Sequence, residues 1–218
     1  MGNRFGRSVR RLALALLVAG MGVVGNASAT LMDRGPDMVY DNVLNITWTR
    51  NANLPGSSNL EWTQANAFAA NLVFGGFDDW RPPFASVAAG AGPALAVVDC
   101  ATATELQCRD NEMGYMYYYD LGGRLGQNKT GNQTAVGGQM LTGIQPTYWS
   151  GTEVNSNLAW GFRFSDGNRF DFVKNDLSSA WAVRPGDVAA APEAASLLLI
   201  GVGMLGLGWS RRRGRRGA

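Results

Sequence analysis

Apolar and polar positions alternate in short runs over most of this chain, and one run switches to a helical period. Met38-Val39-Tyr40-Asp41 and Ile46-Thr47-Trp48-Thr49 read as two short strands around a turn at Asp41-Asn42. Trp62, Ala65, Phe68, Ala69 and Leu72 then recur at three and four residues, an apolar helical stripe. Ser58 and Glu61, three apart ahead of it, fit a capping box, and Gly75-Gly76 stops the helix. A second helix, capped by Asn111 or Asp110, runs through Met113, Met116, Tyr117 and Leu121 to Gly122-Gly123. Gly126 to Gly143 is polar and glycine-rich and reads as a surface loop. Trp160, Phe162 and Phe164 alternate with Gly161 and Arg163; after Asp166-Gly167, Phe170 and Phe172 alternate with Asp171. This predicts an aromatic-faced hairpin with a two-residue turn. Trp181 and Val183 add a third strand of an antiparallel meander, ending at Pro185. Two helices with hairpins and a meander make an α+β domain.

Both ends break this pattern. Arg4, Arg7, Arg10 and Arg11 precede an apolar run from Leu12 to Val24, and Ala27-Ser28-Ala29 follows. Residues 1–29 therefore read as a secretory signal peptide cut after Ala29, with the export translocon and signal peptidase as partners. The alternative is an uncleaved anchor, for which the apolar run is short. At the other end Pro192-Glu193 leads into an apolar run from Ala194 to Trp209, then Arg211, Arg212, Arg213, Arg215 and Arg216. Such arginines favour a cytoplasmic tail, so the chain between the two ends lies outside the inner membrane. The alternative is a plain tail anchor. Gly201, Gly203 and Gly206 spell G-x-G-x-x-G, but no strand–helix unit surrounds them, and they read as small residues of a membrane segment. The division is signal peptide 1–29, globular domain 30–188 and tail 189–218.

Composition changes meaning once the ends are set aside. The chain has 218 residues and a formal charge of +2, yet nine of its 19 basic residues lie in the ends. The domain keeps ten basic and 16 acidic residues, a net charge of −6, which argues against a nucleic-acid binder, since that would need a basic face. About 160 residues suffice for one domain with a core. The chain has no histidine, which removes Ser-His-Asp and Cys-His catalysis and the commonest zinc ligand. Cys100 and Cys108, the only cysteines, form a disulfide in an exported protein, with a metal pair as the rival reading. No cofactor or metal site is read from the sequence. Asn45, Asn128 and Asn132 match the N-x-S/T acceptor pattern.

Two resemblances follow from these residues. The tail, with Pro192-Glu193, a Leu- and Gly-rich apolar segment and the arginine cluster, resembles the PEP-CTERM sorting signal of Gram-negative bacteria. Ala194 stands where that signal has its second proline. The resemblance implies an inner-membrane intermediate held by the C-terminal helix. An exosortase-like membrane protease then processes it, and release follows to the cell surface or extracellular matrix. The domain, from Leu31 to Val188, resembles the Lcl C-terminal domain family. The resemblance rests on Trp80-Arg81-Pro82, Glu112-Met113-Gly114, Tyr148-Trp149-Ser150-Gly151-Thr152-Glu153 and Ala180-Trp181-Ala182-Val183-Arg184-Pro185-Gly186. Pro82 stands where the family has leucine. That family is similar in fold to C-type lectins and formylglycine-generating enzymes, and some members are linked to adhesion and polyanion binding.

The chemistry is sparse. The enzyme relatives use two cysteines far apart in sequence, whereas Cys100 and Cys108 share one loop. Neither Glu-Pro-Asn nor Gln-Pro-Asp, the calcium-dependent sugar-binding triplets of lectins, occurs in the domain. Glu153 and Arg184 sit in the strongest motifs, as an ion pair tying two strands or as the polar floor of a ligand site. Asp78 and Asp79 are the carboxylates a hydrolase would need, or a solvated turn. Tyr115, Tyr117, Tyr118 and Tyr119 stack on sugars, or divide between core and surface. The expectation is a non-enzymatic exported surface or matrix protein. The alternatives are a carbohydrate-binding or adhesive module and a polysaccharide hydrolase.

Overall fold

The computed structural model describes residues 31–86 and 96–188. Among the described residues nine strands occur in chain order: β1 (Leu31–Asp33), β2 (Met38–Asp41), β3 (Ile46–Thr49), β4 (Gly131–Thr134), β5 (Met140–Ile144), β6 (Thr147–Glu153), β7 (Leu158–Arg163), β8 (Arg169–Val173) and β9 (Val183–Pro185). Three α-helices accompany them: α1 (Trp62–Ala70), α2 (Glu105–Cys108) and α3 (Glu112–Tyr115), the last continued by a π-helical turn, Met116–Asp120. The strands form three antiparallel sheets, ordered β1-β2-β3-β9, β4-β5 and β6-β7-β8. The α+β class holds.

The β2–β3 hairpin forms where the alternation places it, with Val39 opposite Trp48. Its connection runs on to Asn45, which takes φ 54°. Asp41 builds it, one carboxylate oxygen accepting from the Val43 and Leu44 N–H groups at 2.8 and 2.9 Å. β3 is buried at every position because both faces are covered. Trp48 and Trp181 meet at 4.7 Å between ring centroids, and Tyr148, Phe162, Phe164 and Tyr117 extend this aromatic core. Offset and edge contacts of this kind suit aromatic quadrupoles.

Helix α1 buries Ala65 and Ala69, small residues that let it lie close to Trp149, Phe170 and Ala180 on one side and Trp80 and Ala182 on the other. Its cap is Glu61, whose N–H donates to the Gln64 side chain at 3.0 Å; Ser58 instead donates to Asn53 at 2.7 Å. The second predicted helix is α3 with its π-turn, capped by Asn111, whose side chain accepts from Gly114 N–H at 3.0 Å.

Three expectations are corrected. The meander is β6-β7-β8, and the Trp181–Pro185 segment leaves it, β9 pairing with β3 so that Thr47 faces Arg184. Its partner is decided by Trp181, which packs on Trp48 rather than on the Phe170 face. The Gly126 to Gly143 stretch contains β4 and β5, whose buried Leu141 and Ile144 seat this small sheet on the core. The β7–β8 connection spans five residues rather than two, closed by Asn168 N–H donating to Asp166 at 2.9 Å. Alternation alone did not reveal β1 or the one-turn helix α2, both too short to show a period.

Candidate functional site

The motif residues converge where β9, the 77–84 segment and α3 meet. Arg81 backbone pairs with Val183 in both directions, at 2.8 and 2.9 Å. Its guanidinium grips Glu112 with two bonds, 2.7 and 2.8 Å, and lies 4.3 Å from the Phe84 ring centroid. The buried Glu112 carboxylate also accepts from Phe84 N–H at 2.7 Å, while Glu112 N–H donates to Phe84 carbonyl at 3.0 Å. One carboxylate thus fixes the start of α3 to a proline segment that has few backbone donors of its own.

Glu153 and Arg184 do not pair with each other. Arg184 binds Asp79 with two bonds, 2.7 and 2.9 Å, over the Phe77 ring at 4.0 Å. Glu153 takes Lys174 at 2.7 Å, and that ammonium sits 4.4 Å from the centre of the Trp62 ring, whose N–H donates to Ser150 carbonyl. The reason is register: β6 and β9 belong to different sheets, so each charge finds the nearest partner on its own side. The Asp78–Asp79 pair is split as well. The Arg184 hydrogen bond holds the Asp79 carboxyl below its usual range, opposite to what a proton-donating acid requires, and Asp78 is exposed.

The tyrosines are committed to the fold. Tyr115 hydroxyl donates to Glu105 at 2.7 Å, Tyr117 to the Arg124 and Gln127 carbonyls, and Tyr118 to Gly167 carbonyl at 2.9 Å. Tyr119 stacks on Tyr115 at 5.1 Å. Burial pushes Tyr118 up to about 12, and pushes Tyr115 up further, aided by Glu105. The large apolar side chains that are exposed among the described residues are aliphatic or Met, while Tyr118 and Tyr119 are half-buried.

The disulfide between Cys100 and Cys108 is formed, with both residues buried, α2 inside the closed loop and Tyr115 packed against it. Beside it lies an open depression of about 500 Å³ lined by Val98, Asp99, Thr102, Ala103, Gln107 and Asp110. Among the described residues no group of three or more Cys, Asp or Glu is arranged to hold a metal ion, and no helix is long and apolar enough to cross a membrane.

One feature escaped the sequence reading. Asp41 and Asp120 are both buried, and their carboxyls are close enough to shift one another. Burial raises both carboxyls, Asp120 well above its ordinary range, so the pair shares a proton instead of carrying two charges. The spacing held the clue: Asp120 falls three and four residues after Tyr117 and Met116, on the stripe that the π-turn buries. Surface charge is equally committed. Eight of the ten basic side chains in the domain lie in ion pairs with carboxylates.

Ala27 and Ala29 of the cleavage site, and Pro192, Glu193, Arg211, Arg212 and Arg213 of the tail, lie outside the described residues. Residues 190–213 match the family of the PEP-CTERM protein-sorting motif. No curated protein matches the chain. The motif implies an exported protein that an exosortase processes at the membrane and that reaches the cell surface.

Proposed function

We propose that this chain is a non-enzymatic component of the cell surface or extracellular matrix, with a Lcl C-terminal-like domain of the C-type-lectin-like class as its delivered part. The observation that carries the reading is the abutment of address and fold: the domain's last described residue, Val188, is buried in the core, and the sorting motif starts at residue 190. The sequence elements shared with the Lcl family support the domain assignment, because they form framework contacts. Arg81 and Glu112 bind each other, Trp149 and Trp181 lie in the core, and Arg184 pairs with Asp79. The charge pattern guides the ligand class. With eight of its ten cations paired and six more carboxylates outside the core and outside any ion pair among the described residues, the surface disfavours polyanions. A neutral matrix polymer is therefore the adhesive partner we favour over an acidic one.

The test is fractionation of cells expressing the chain with and without residues 189–218, with mass-spectrometric mapping of both termini. The expected species outside the cell starts near Thr30 and has lost the arginine cluster. An extracellular species intact through Arg216 overturns the reading.

A further inference from the structure

The chain leaves the fold under restraint. After β9, Gly186 adopts φ +73°, which turns the backbone, and its N–H donates to Asn45 carbonyl at 2.8 Å while its carbonyl accepts from the Thr47 hydroxyl at 2.8 Å. Asp187 is then held by Arg34 through two bonds of 2.6 Å. Val188 follows with only 7 % of its surface exposed, packed with Met38, Ala69, Trp80 and Ala182. Arg34 is itself fixed: its guanidinium donates to Asp33 carbonyl at 2.7 Å, and Arg50 pins the same turn through Asp33 at 2.6 Å and Gly35 carbonyl at 2.9 Å. The first turn of the domain thus grips its last residues.

Pro192 and Glu193 lie four and five residues beyond Val188. Fully extended, that tether spans about 17 Å. A protease takes its peptide extended in a cleft, with chain on both sides of the recognised step. On the sorting reading the apolar run from Ala194 holds the far side of this step at the membrane, and Val188 fixes the near side on the domain.

We propose that the Arg34–Asp187 grip and the seat of Val188 govern access of the membrane-bound processing enzyme to the sorting motif, so that peeling of residues 186–188 from the sheet face is the step that admits it. The inference rests on the exosortase reading above. Local release of a short terminal segment, without global unfolding, is an ordinary native-state opening.

Pulse-chase of the full chain in an exosortase-bearing host tests this, reading processed against full-length protein in three variants. A six-residue Gly/Ser insertion between Ala189 and Ala190 lengthens the tether with the grip intact. Deletion of Ala189 and Ala190 shortens it. Arg34→Gln with Asp187→Asn removes the ionic grip. Processing should rise about two- to five-fold in the first and third, within the range of a partly exposed ion pair, and fall in the second. Oxidation of Cys100 with Cys108 and resistance to trypsin report that the domain still folds. Rates that stay at the wild-type value in the insertion and deletion variants overturn the inference and leave the sorting reading standing. A wild-type chain that the exosortase never processes overturns both.

Discussion

Asp120 lies beside Asp41 inside the core, with 1 % and 0 % of their surfaces exposed, close enough for each carboxyl to shift the other. Asp41 is tied down further by two backbone donors at the β2–β3 turn, whereas neither carboxylate oxygen of Asp120 has a donor of its own. Two buried charges there would repel at low dielectric, so the native state keeps a proton that the unfolded chain releases near pH 4.

That proton sets the sign of a pH dependence. The Asp120 carboxyl is raised in the folded state, mainly by burial, so the folded chain binds more protons than the unfolded one above the ordinary aspartate range. The stability due to the pair is complete at low pH and falls as pH rises, at about 1.4 kcal/mol per pH unit for one proton, until the folded pair itself titrates. Asp120→Asn keeps a donor for Asp41 and cannot ionise. Urea melts from pH 4 to 8 should show this variant losing the decline and matching or exceeding the wild type at pH 8. A variant less stable than the wild type at every pH would refute the shared proton.

The Glu112 carboxylate serves three donors, two on Arg81 and the Phe84 N–H. Glu112→Ala strands a half-buried guanidinium and a backbone donor, and should cost about 3 kcal/mol. For a domain of this size, calorimetry should register a melting point roughly 6–12 °C lower. Arg81→Lys keeps the charge but loses the paired geometry, and should fall between that variant and the wild type.

Gly114 illustrates how tightly the cystine is packed. A Cβ at this position would lie 2.6 Å from the Cys100 sulfur and 3.0 Å from Asn111 Cγ, the residue that caps α3. Gly114→Ala should therefore destabilise by about 1–3 kcal/mol. Removing the cystine as Cys100→Ser with Cys108→Ser should cost about 2.5 kcal/mol, given its short closed loop. The triple variant should lose less than the sum, because serine oxygens occupy less space than the sulfurs; strict additivity in denaturant melts would show that Gly114 and the cystine do not touch.

Local signals in the sequence were legible and long-range ones were not. The two β2–β3 runs match their strands residue for residue, α3 starts at its Asn111 cap, and the α1 stripe lies on the helix from Trp62 to Ala69, though the helix ends at Ala70, short of Leu72 and of Gly75-Gly76, because period and cap are properties of neighbouring residues. Partner choice is different. The destination of β9 is decided by Trp181 finding Trp48, 133 positions away, and the partners of Glu153 and Arg184 by which sheet each strand joins. Cys100 and Cys108 paired as expected because only one partner existed for each. Asp120 was hidden by its chemistry, since an aspartate next to four aromatic or sulfur side chains reads as a helix end.

Asp78 and Asp79 are adjacent yet should behave as unrelated residues. Asp79 is drawn to Arg184, whose third guanidinium nitrogen is buried without an acceptor, so Asp79→Ala leaves a buried cation on Phe77 alone. Asp78→Ala removes an exposed side chain and should change stability by less than about 0.5 kcal/mol. The Arg184 bond depresses the Asp79 carboxyl, so its contribution is present above the ordinary aspartate range and lost as pH falls through the depressed value. That is the opposite limb from Asp120. Acid melts between pH 5 and 2 should show the wild type losing its advantage over Asp79→Ala, while the gap to Asp78→Ala stays near zero throughout. Equal effects of the two substitutions across that range would refute the Asp79–Arg184 pair as a source of acid-sensitive stability.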